Sequence, residues 1–514
     1  MTVTTSNGAG LGIALDRAAG VPLYRQIADS IRRQVQQGEL AAGSQLPPER
    51  RLAGSLGVDR STVIAAYREL AADGLVEAHV GRGTTISQPK TADWHGLRPI
   101  QRLDWQQLLA PAVAADPLLD ELGALAERSD VVSFVSGIPA PEFYPIAEFR
   151  SLLDEALGAG GEGLLQYCPP EGFAPLRTAI AGRMTHQGTT VSPHRVLICA
   201  GSQQGLYLLA RALLEPGDTV VVEAPTYHGA LLVFRSVGAR VVAVPVDRHG
   251  LDIDRLNDLL GRRPVKLIYT LPTFQNPTGV TLSLERRQRL LETARRHGVP
   301  IVEDDPYGEL GYEESRLPSL LALDRTPGGS VIYLSTFSKI LFPGFRLGWI
   351  VAPEPVIARL AWVKGLVDLD SNPLAQWAVG EYLRRGRLDP HLDRLRAIYP
   401  ERRDRLVSAL AEGVGSRLTW QRPAGGFYLW ARLAGAIRAR EVLTEAIALG
   451  VAFVPGDLYH ADGGGRDTMR LAFSALAPDQ LALGAERLSR AIMTVSDRRT
   501  RNRESAPRPP TRIV

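Results

Sequence analysis

Lys339 is the only amine in the stretch Tyr333–Gly348, YLSTFSKILFPGFRLG. Thr336 and Ser338 bring hydroxyls just before it, and the guanidinium of Arg346 follows seven residues later. A lysine in an apolar site can condense with an aldehyde, while hydroxyls beside an arginine suit a phosphate. A cofactor that needs an imine partner at one end and phosphate ligands at the other is pyridoxal 5'-phosphate. Taken alone, the stretch reads better as a strand that runs into a loop with an ordinary surface Lys–Arg pair.

The same chemistry makes further demands elsewhere in the chain. A pyridoxal ring needs a carboxylate at its nitrogen, and Asp304 in EDDPY can supply one. Its phenolic oxygen wants donors, which Asn276 in NPTG and Tyr307 offer. Ser202 and Gln203 lie in GSQQG, directly after the apolar run VLICA, where helix-start N–H groups can hold an anion. Tyr227, closing EAPTY, presents an aromatic face to a flat ring. Singly, GSQQG is weak, NPTG is an ordinary turn, EDDPY is a helix cap or metal ligand, and Tyr227 is a packed tyrosine. Together these stretches supply complementary parts. No metal-ligand spacing stands beside them, since Cys168 and Cys199 are the only cysteines.

These residues sit in a region of regular alternation. VLICA (196–200), TVVVEAP (219–225), RVVAVPV (240–246), KLIYTLP (266–272), PIVEDD (300–305) and VIYLSTF (331–337) read as β-branched strands with helical stretches between most of them. That pattern predicts a mostly parallel sheet covered by helices, with ligands at the carboxyl ends of the strands. The large α/β domain is expected over residues 130–493.

The first ninety or so residues follow a different pattern. Leu23, Ile27, Ile31 and Val35 predict an amphipathic helix ending near Gly38. A second follows LPPER, with Leu52, Ala53 and Leu56 apolar and Gly57 breaking the chain. A third begins at Asp59 as N-cap and turns Val63, Ala66, Tyr67 and Leu70 inward. Its opening residues Arg60, Ser61 and Thr62 then stand at the front of a helix-turn-helix, where arginines and hydroxyls reach bases and phosphates. LVEAHVGRGTTIS (75–87) alternates as a hairpin, with Gly81, Arg82 and Gly83 at the tip of a wing. A small helical protein-interaction module is the other reading of the pattern. The domain is expected over residues 15–88, followed by an interdomain linker over 89–129 with a helix near Asp104–Leu109.

At 514 residues the chain has room for more than one core, and 45% apolar with 22% charged residues is the balance of a globular protein. No apolar run is long enough for a membrane span and no signal peptide is visible, so a cytoplasmic protein is expected. The formal charge of +4 belongs to the end of the chain. Arginines 498, 499, 501, 503, 508 and 512 stand there against Asp497 and Glu504, and the rest of the chain is neutral. A basic, Pro-containing tail over 494–514 is expected to be disordered.

Two resemblances follow from these motifs. Residues 22–87, with PLYRQIADSIRRQVQQGEL, LPPER and RSTV, resemble the winged helix of GntR-family bacterial regulators. By that resemblance Arg50, Arg60, Ser61, Thr62 and the tip Gly81–Gly83 contact double-stranded operator DNA. The region from about 130 to 490 resembles fold-type I aminotransferases of class I/II, through GIP, QYCPPEGFAPLR, NPTG, DDPY, TFSK and MRLAFS in that order. The resemblance implies pyridoxal phosphate bound to Lys339, with Asp304 at the ring nitrogen and Asn276 and Tyr307 at the phenolic oxygen. Tyr227 would stack on the ring, and Ser202, Gln203, Thr336, Ser338 and Arg346 would hold the phosphate. Tyr167 would reach the cofactor of a second subunit, implying a homodimer, and Arg470 would bind a ligand α-carboxylate. The fusion as a whole is similar to the MocR (GabR-type) subfamily of GntR regulators. It implies a regulator that senses an amino compound, or pyridoxal phosphate, through a Schiff base at Lys339. The alternative is an aminotransferase with an accessory DNA-binding domain.

Overall fold

The computed structural model describes residues 4–5, 11–17, 19–79, 83–87, 105–109, 117–158, 161–313, 316–326 and 328–504. The chain divides into two compact units, Met1–Leu109 and Ala110–Val514.

The first unit contains three helices, α1 (Leu23–Gln36), α2 (Glu49–Leu56) and α3 (Arg60–Ala72), and a hairpin of β1 (Val76–His79) and β2 (Gly83–Ile86). Ile27, Ile31, Leu52, Leu56, Val63 and Leu70 form one buried cluster, as the helical spacing requires. Gly57 ends α2 in the left-handed conformation, at φ 63°, where a side chain would be strained. Asp59 is the N-cap residue of α3 in extended conformation, but its side chain makes no capping bond. Residues 44–46 lie beside β2, where Ile86 N donates to Ser44 O at 2.8 Å and Leu46 N to Thr84 O at 2.8 Å. The pattern of Pro22 onward missed one contribution: Leu11, Ile13 and Leu15 are buried in the same cluster.

The second unit is built on an eight-stranded mixed sheet. Its strands are β3 (Val196–Cys199), β4 (Thr219–Ala224), β5 (Arg240–Asp247), β6 (Leu267–Thr270), β7 (Ile301–Asp304), β8 (Val331–Thr336) and β9 (Gly348–Val351), with the two-residue strand Gly250–Leu251 at one edge. The spatial order is β3-β9-β8-β7-β6-β4-β5 and then that edge. Pairings from β5 through β8 are parallel, and β9 runs antiparallel to both β8 and β3. Strands buried on both faces explain the continuous apolar runs. Strand β9 was not read from the sequence, because GWIV follows the Lys339 stretch without a helical interval.

A second, four-stranded antiparallel sheet joins Leu418–Trp420, Tyr428–Leu433, Thr468–Ala472 and Val454–Pro455. Two long helices, Leu388–Val414 and Pro478–Glu504, pack along one another beside it.

Two boundaries differ from the sequence expectation. The helix Pro117–Glu127 buries Leu122 and Leu125 in the core cluster that includes Phe134, so the end of the expected linker belongs to the second unit. The expected disordered tail is helical through Glu504. Arg499 donates to both carboxylate oxygens of Glu441, and Arg498 pairs with Glu445 at 2.8 Å. Acidic partners on the neighbouring helix Ala439–Ala448 therefore extend the helix past the point where apolar periodicity ends. Residues 505–514 of the expected tail lie outside the described residues. Among the described residues, no helix is long and apolar enough to cross a membrane.

Candidate functional site

The carboxyl ends of β3, β4, β6, β7 and β8 surround a cavity of about 250 Å³. Its walls carry Ser202, Tyr227, Asn276, Asp304, Tyr307 and Lys339 from the large sheet, and Tyr428 and Arg470 from the smaller one. Residues as far apart in sequence as Ser202 and Arg470 are thus brought together by the two sheets.

Asp304 closes β7 and is 2% exposed. Its Oδ2 accepts a hydrogen bond from Tyr269 Oη at 2.7 Å, while its Oδ1 is buried without a hydrogen-bond partner. Burial pushes its carboxyl up to about 7, against the opposing effect of the Tyr269 bond. A buried carboxyl with an unmet oxygen calls for a donor or cation from the cavity.

Lys339 is half-buried, and its Nζ donates to the carbonyl of Gly137 at 2.7 Å. Burial lowers its amine below the ordinary lysine value, and Arg470 and Arg346 act in the same direction. A larger neutral fraction makes the amine a better nucleophile.

Arg470 is 5% exposed and lies over the Tyr428 ring at 4.2 Å and the Tyr459 ring at 5.2 Å. It donates to Asn276 Oδ1 at 3.2 Å and to Val135 O at 2.5 Å, while its Nε is buried without a partner. Tyr307 and Tyr428 meet through their hydroxyls at 2.9 Å.

One end of the site is framed by the start of the helix α4 (Ser202–Leu213). Gly201 precedes it at φ 84°, and a Cβ there would lie 2.5 Å from Arg346 Nη2. Arg346 donates to Ala200 O at 3.2 Å and lies 3.4 Å from Ser338 Oγ. Gln203 does not line the cavity but accepts from Tyr227 Oη at 3.0 Å. Thr336 is buried with its hydroxyl turned to backbone, within 3.0 Å of Leu347 O and accepting from Ser338 N at 3.1 Å. Tyr167 is 80% exposed and outside the cavity. Its loop is held by Cys168 N donating to Asp370 Oδ2 at 2.5 Å, next to exposed Leu366 and Leu369.

Sequence reasoning missed Tyr428, Gly137 and Tyr269 as site residues. Tyr428 lies in GGFYLW, where alternation puts Tyr428 and Trp430 on one strand face, the only signal available.

In the first unit, Arg50, Arg60 and Ser61 are exposed on α2 and the first turn of α3, with Thr62 half-buried. Arg60 pairs with Glu49 at 2.8 Å. Gly83 opens β2 at φ 83°, while the wing-tip residues Gly81 and Arg82 lie outside the described residues.

Comparison with known proteins agrees with both units. Residues 23–86 match the family described as bacterial regulatory proteins, gntR family, and residues 144–488 match aminotransferase class I and II. The chain is 34% identical over 484 residues to the uncharacterized HTH-type transcriptional regulator YisV of Bacillus subtilis, covering 93% of this chain and 98% of that protein. It is 30% identical over 491 residues to the probable rhizopine catabolism regulatory protein MocR of Rhizobium meliloti, covering 94% and 96%. Among solved structures, the multiple substrate aminotransferase of Thermococcus profundus superposes with a TM-score of 0.73 at 36% identity, covering 77% of this chain and all of that one. Winged helix and aminotransferase-like domain together define a DNA-binding regulator built on the fold of a pyridoxal-phosphate enzyme. The chain belongs to the MocR-type regulators of the gntR family.

Proposed function

We propose that this protein binds pyridoxal 5'-phosphate as a Schiff base to Lys339 and regulates transcription by sensing an amino compound, or pyridoxal phosphate itself, through that linkage. The observation that carries the reading is one cavity shared by Asp304, with its unpartnered buried oxygen, Lys339 and Arg470, on a chain that also bears a gntR-family winged helix.

The donor set fits the cofactor. Asp304 would hold a proton at the ring nitrogen, a positive neighbour that returns this carboxyl to its charged form. Asn276 and Tyr307 would donate to the phenolic oxygen, and Tyr227 would cover one ring face. Ser202, Gln203, Ser338 and Arg346, with Thr336 bracing Ser338, would receive the phosphate at the start of α4, where backbone N–H groups favour an anion. Bound there, the cofactor supplies an aldehyde for a primary amine and a ring that draws electrons toward its nitrogen. Arg470, desolvated and held between two tyrosine rings, would take the carboxylate of an amino-acid-like effector. Exposed Tyr167, Leu366 and Leu369 support a homodimer in which Tyr167 reaches the second subunit's site. Arg50, Arg60, Ser61, Thr62 and Gly83, with the tip residues Gly81 and Arg82, would meet the DNA. An effector acts on this arrangement only by binding two conformations of the dimer with different affinity.

The second reading, an amino-acid:2-oxo-acid aminotransferase with an accessory DNA-binding domain, is favoured by the lowered Lys339 amine and the likeness to the Thermococcus profundus enzyme. The first measurement tests the cofactor, which both readings share, and the second separates them. Protein mixed with pyridoxal phosphate should gain visible absorbance that an amino compound shifts and that Lys339→Ala abolishes. The same protein should footprint an operator, and Arg60→Ala should weaken that footprint and reduce the salt slope of binding by about 1 per bound subunit. Steady multi-turnover amino transfer without any sequence-specific footprint would sink the regulator reading.

A further inference from the structure

The smaller sheet places in the cavity a phenol that the cofactor positions do not include. Tyr428 begins the strand Tyr428–Leu433, and its hydroxyl lies 2.9 Å from that of Tyr307. A Cβ on Gly137 would lie 2.0 Å from Tyr428 Oη and 2.5 Å from two of its ring carbons, so glycine leaves room for the whole phenol. The carbonyl of that same Gly137 holds the Lys339 amine at 2.7 Å. Arg470 covers the other side, with its guanidinium carbon 4.2 Å from the Tyr428 ring centre.

We propose that Tyr428 is a positioning residue for the cofactor's phenolic oxygen: it donates its proton to Tyr307, which commits the Tyr307 proton to that oxygen. The inference rests on the cofactor reading above. A phenol has one proton to give. Left alone, Tyr307 can turn its proton toward Tyr428 or toward the cavity, and the first choice removes it from any ligand. When Tyr428 is the donor, the direction of the pair is set and each bond strengthens the next.

The charges around the pair favour that direction. Burial pushes the Tyr307 phenol well up. Burial acts likewise on Tyr428, but Arg470 and Lys339 outweigh it and hold that phenol below its ordinary value. The 2.9 Å contact allows either hydroxyl to donate, and once the single Tyr307 proton is given to the phenolic oxygen, only Tyr428 is left as the donor. The other titratable groups facing the pair are Asp304, Tyr227, His228 and Tyr459. Asp304 bonds instead to Tyr269, and Tyr227 to Gln203.

A donor at the phenolic oxygen competes with the proton that the lysine-linked chromophore keeps beside that oxygen. Weakening the donor lets the oxygen hold this proton longer, so it leaves at higher pH. Loss of the Tyr428 hydroxyl should accordingly move the midpoint of the visible-absorbance pH titration upward by about 0.5 unit, the scale of a cooperative contribution to one hydrogen bond. Tyr307→Phe should move it further in the same direction.

The test is a double-mutant cycle on protein loaded with pyridoxal phosphate, read by absorbance between pH 5 and 10, with thermal unfolding as a control for folding. Tyr428→Phe keeps the ring beneath Arg470 and removes only the hydroxyl. The expected result is an upward midpoint shift with Tyr307 present and none in the Tyr307→Phe background. An unchanged midpoint in Tyr428→Phe overturns the proposal, as does the same shift in both backgrounds, which would place the effect on Arg470 or Lys339. Should Tyr428→Phe not fold, Tyr428→His supplies another donor and should keep the midpoint within about 0.2 unit of wild type, a small fraction of the expected loss. A His variant with the full shift counts against the relay. Absence of any visible band in wild type overturns the cofactor reading and this inference with it, whereas a normal wild-type band with an unshifted variant overturns the relay alone.

Discussion

Asp304 shows how burial changes the charge state of a carboxyl. Its carboxyl titrates near 7 in the folded chain and near 3.8 when solvated, so the folded chain retains a proton that the unfolded chain releases. The sign follows from proton linkage: between about pH 4 and 7 the native state binds more protons, and its stability falls as pH rises. The shift corresponds to at most roughly 4 kcal/mol. Cofactor-free Asp304→Asn protein should therefore lose less stability than wild type between pH 5 and 8, measured by denaturant unfolding of the large unit. Equal losses in the two proteins would show that Asp304 is already ionised. That EDDPY carries an acidic residue at the end of an apolar run was legible from the sequence. Its protonation was not, because that depends on Tyr269, Asp305 and Glu223 gathering around it across the sheet.

At the scale of elements, the start of α4 and the loop bearing Arg346 act as one cradle. Gly201 adopts φ 84° and leaves 2.5 Å from its absent Cβ to Arg346 Nη2. Gly201→Ala would strain the backbone and push this guanidinium aside, so pyridoxal phosphate affinity should fall by roughly 10- to 100-fold, about 1–3 kcal/mol, the ordinary cost of such a conformation. An absorbance titration checks it, and an unchanged affinity would remove Arg346 from the phosphate site. GSQQG announced a helix start in the sequence, but its partner could not be read, since Arg346 lies 145 positions away. Thr336 is the converse case. Its spacing before Lys339 made it resemble a phosphate ligand, yet strand β8 turns the hydroxyl inward to Leu347 O. In the winged helix, local pattern was enough: Val63, Ala66, Tyr67 and Leu70 are buried as their spacing requires. The core contribution of residues 11–15 escaped notice because too few residues are involved to show a period.

For the whole molecule, the exposed apolar surface carries the argument. Leu366 is 75% exposed and Trp362 67% exposed on the helix Glu354–Val367, and Leu369 just beyond it is 55% exposed. The loop of Tyr167 is tied to this end through Asp370. Large apolar side chains grouped at one surface are a mark of association. Leu366→Asp should convert a dimer to monomer at micromolar concentration in sedimentation experiments. Because two winged helices would no longer be joined, affinity for a two-half-site operator should fall at least 10-fold. A variant that stays dimeric would move the interface elsewhere. The C-terminal helix belongs to this scale too. Composition made its basic end look disordered, while Glu441 and Glu445 hold Arg499 and Arg498 in place.

The sequence by itself determined the elements and the chemical inventory: two kinds of periodicity for two units, strands buried on both faces, and a lysine, a carboxylate, donors and an arginine in separate motifs. These are legible because apolar spacing and functional-group chemistry are local properties. Only the tertiary structure decided which of those groups share a cavity and in what state. It brought Tyr428 and Arg470 from the second sheet against Tyr307 and Lys339, lowered the lysine amine and raised the Asp304 carboxyl. Desolvation and opposing charge depend on what lies nearby in space, and residues far apart in the sequence become neighbours only when the chain has folded.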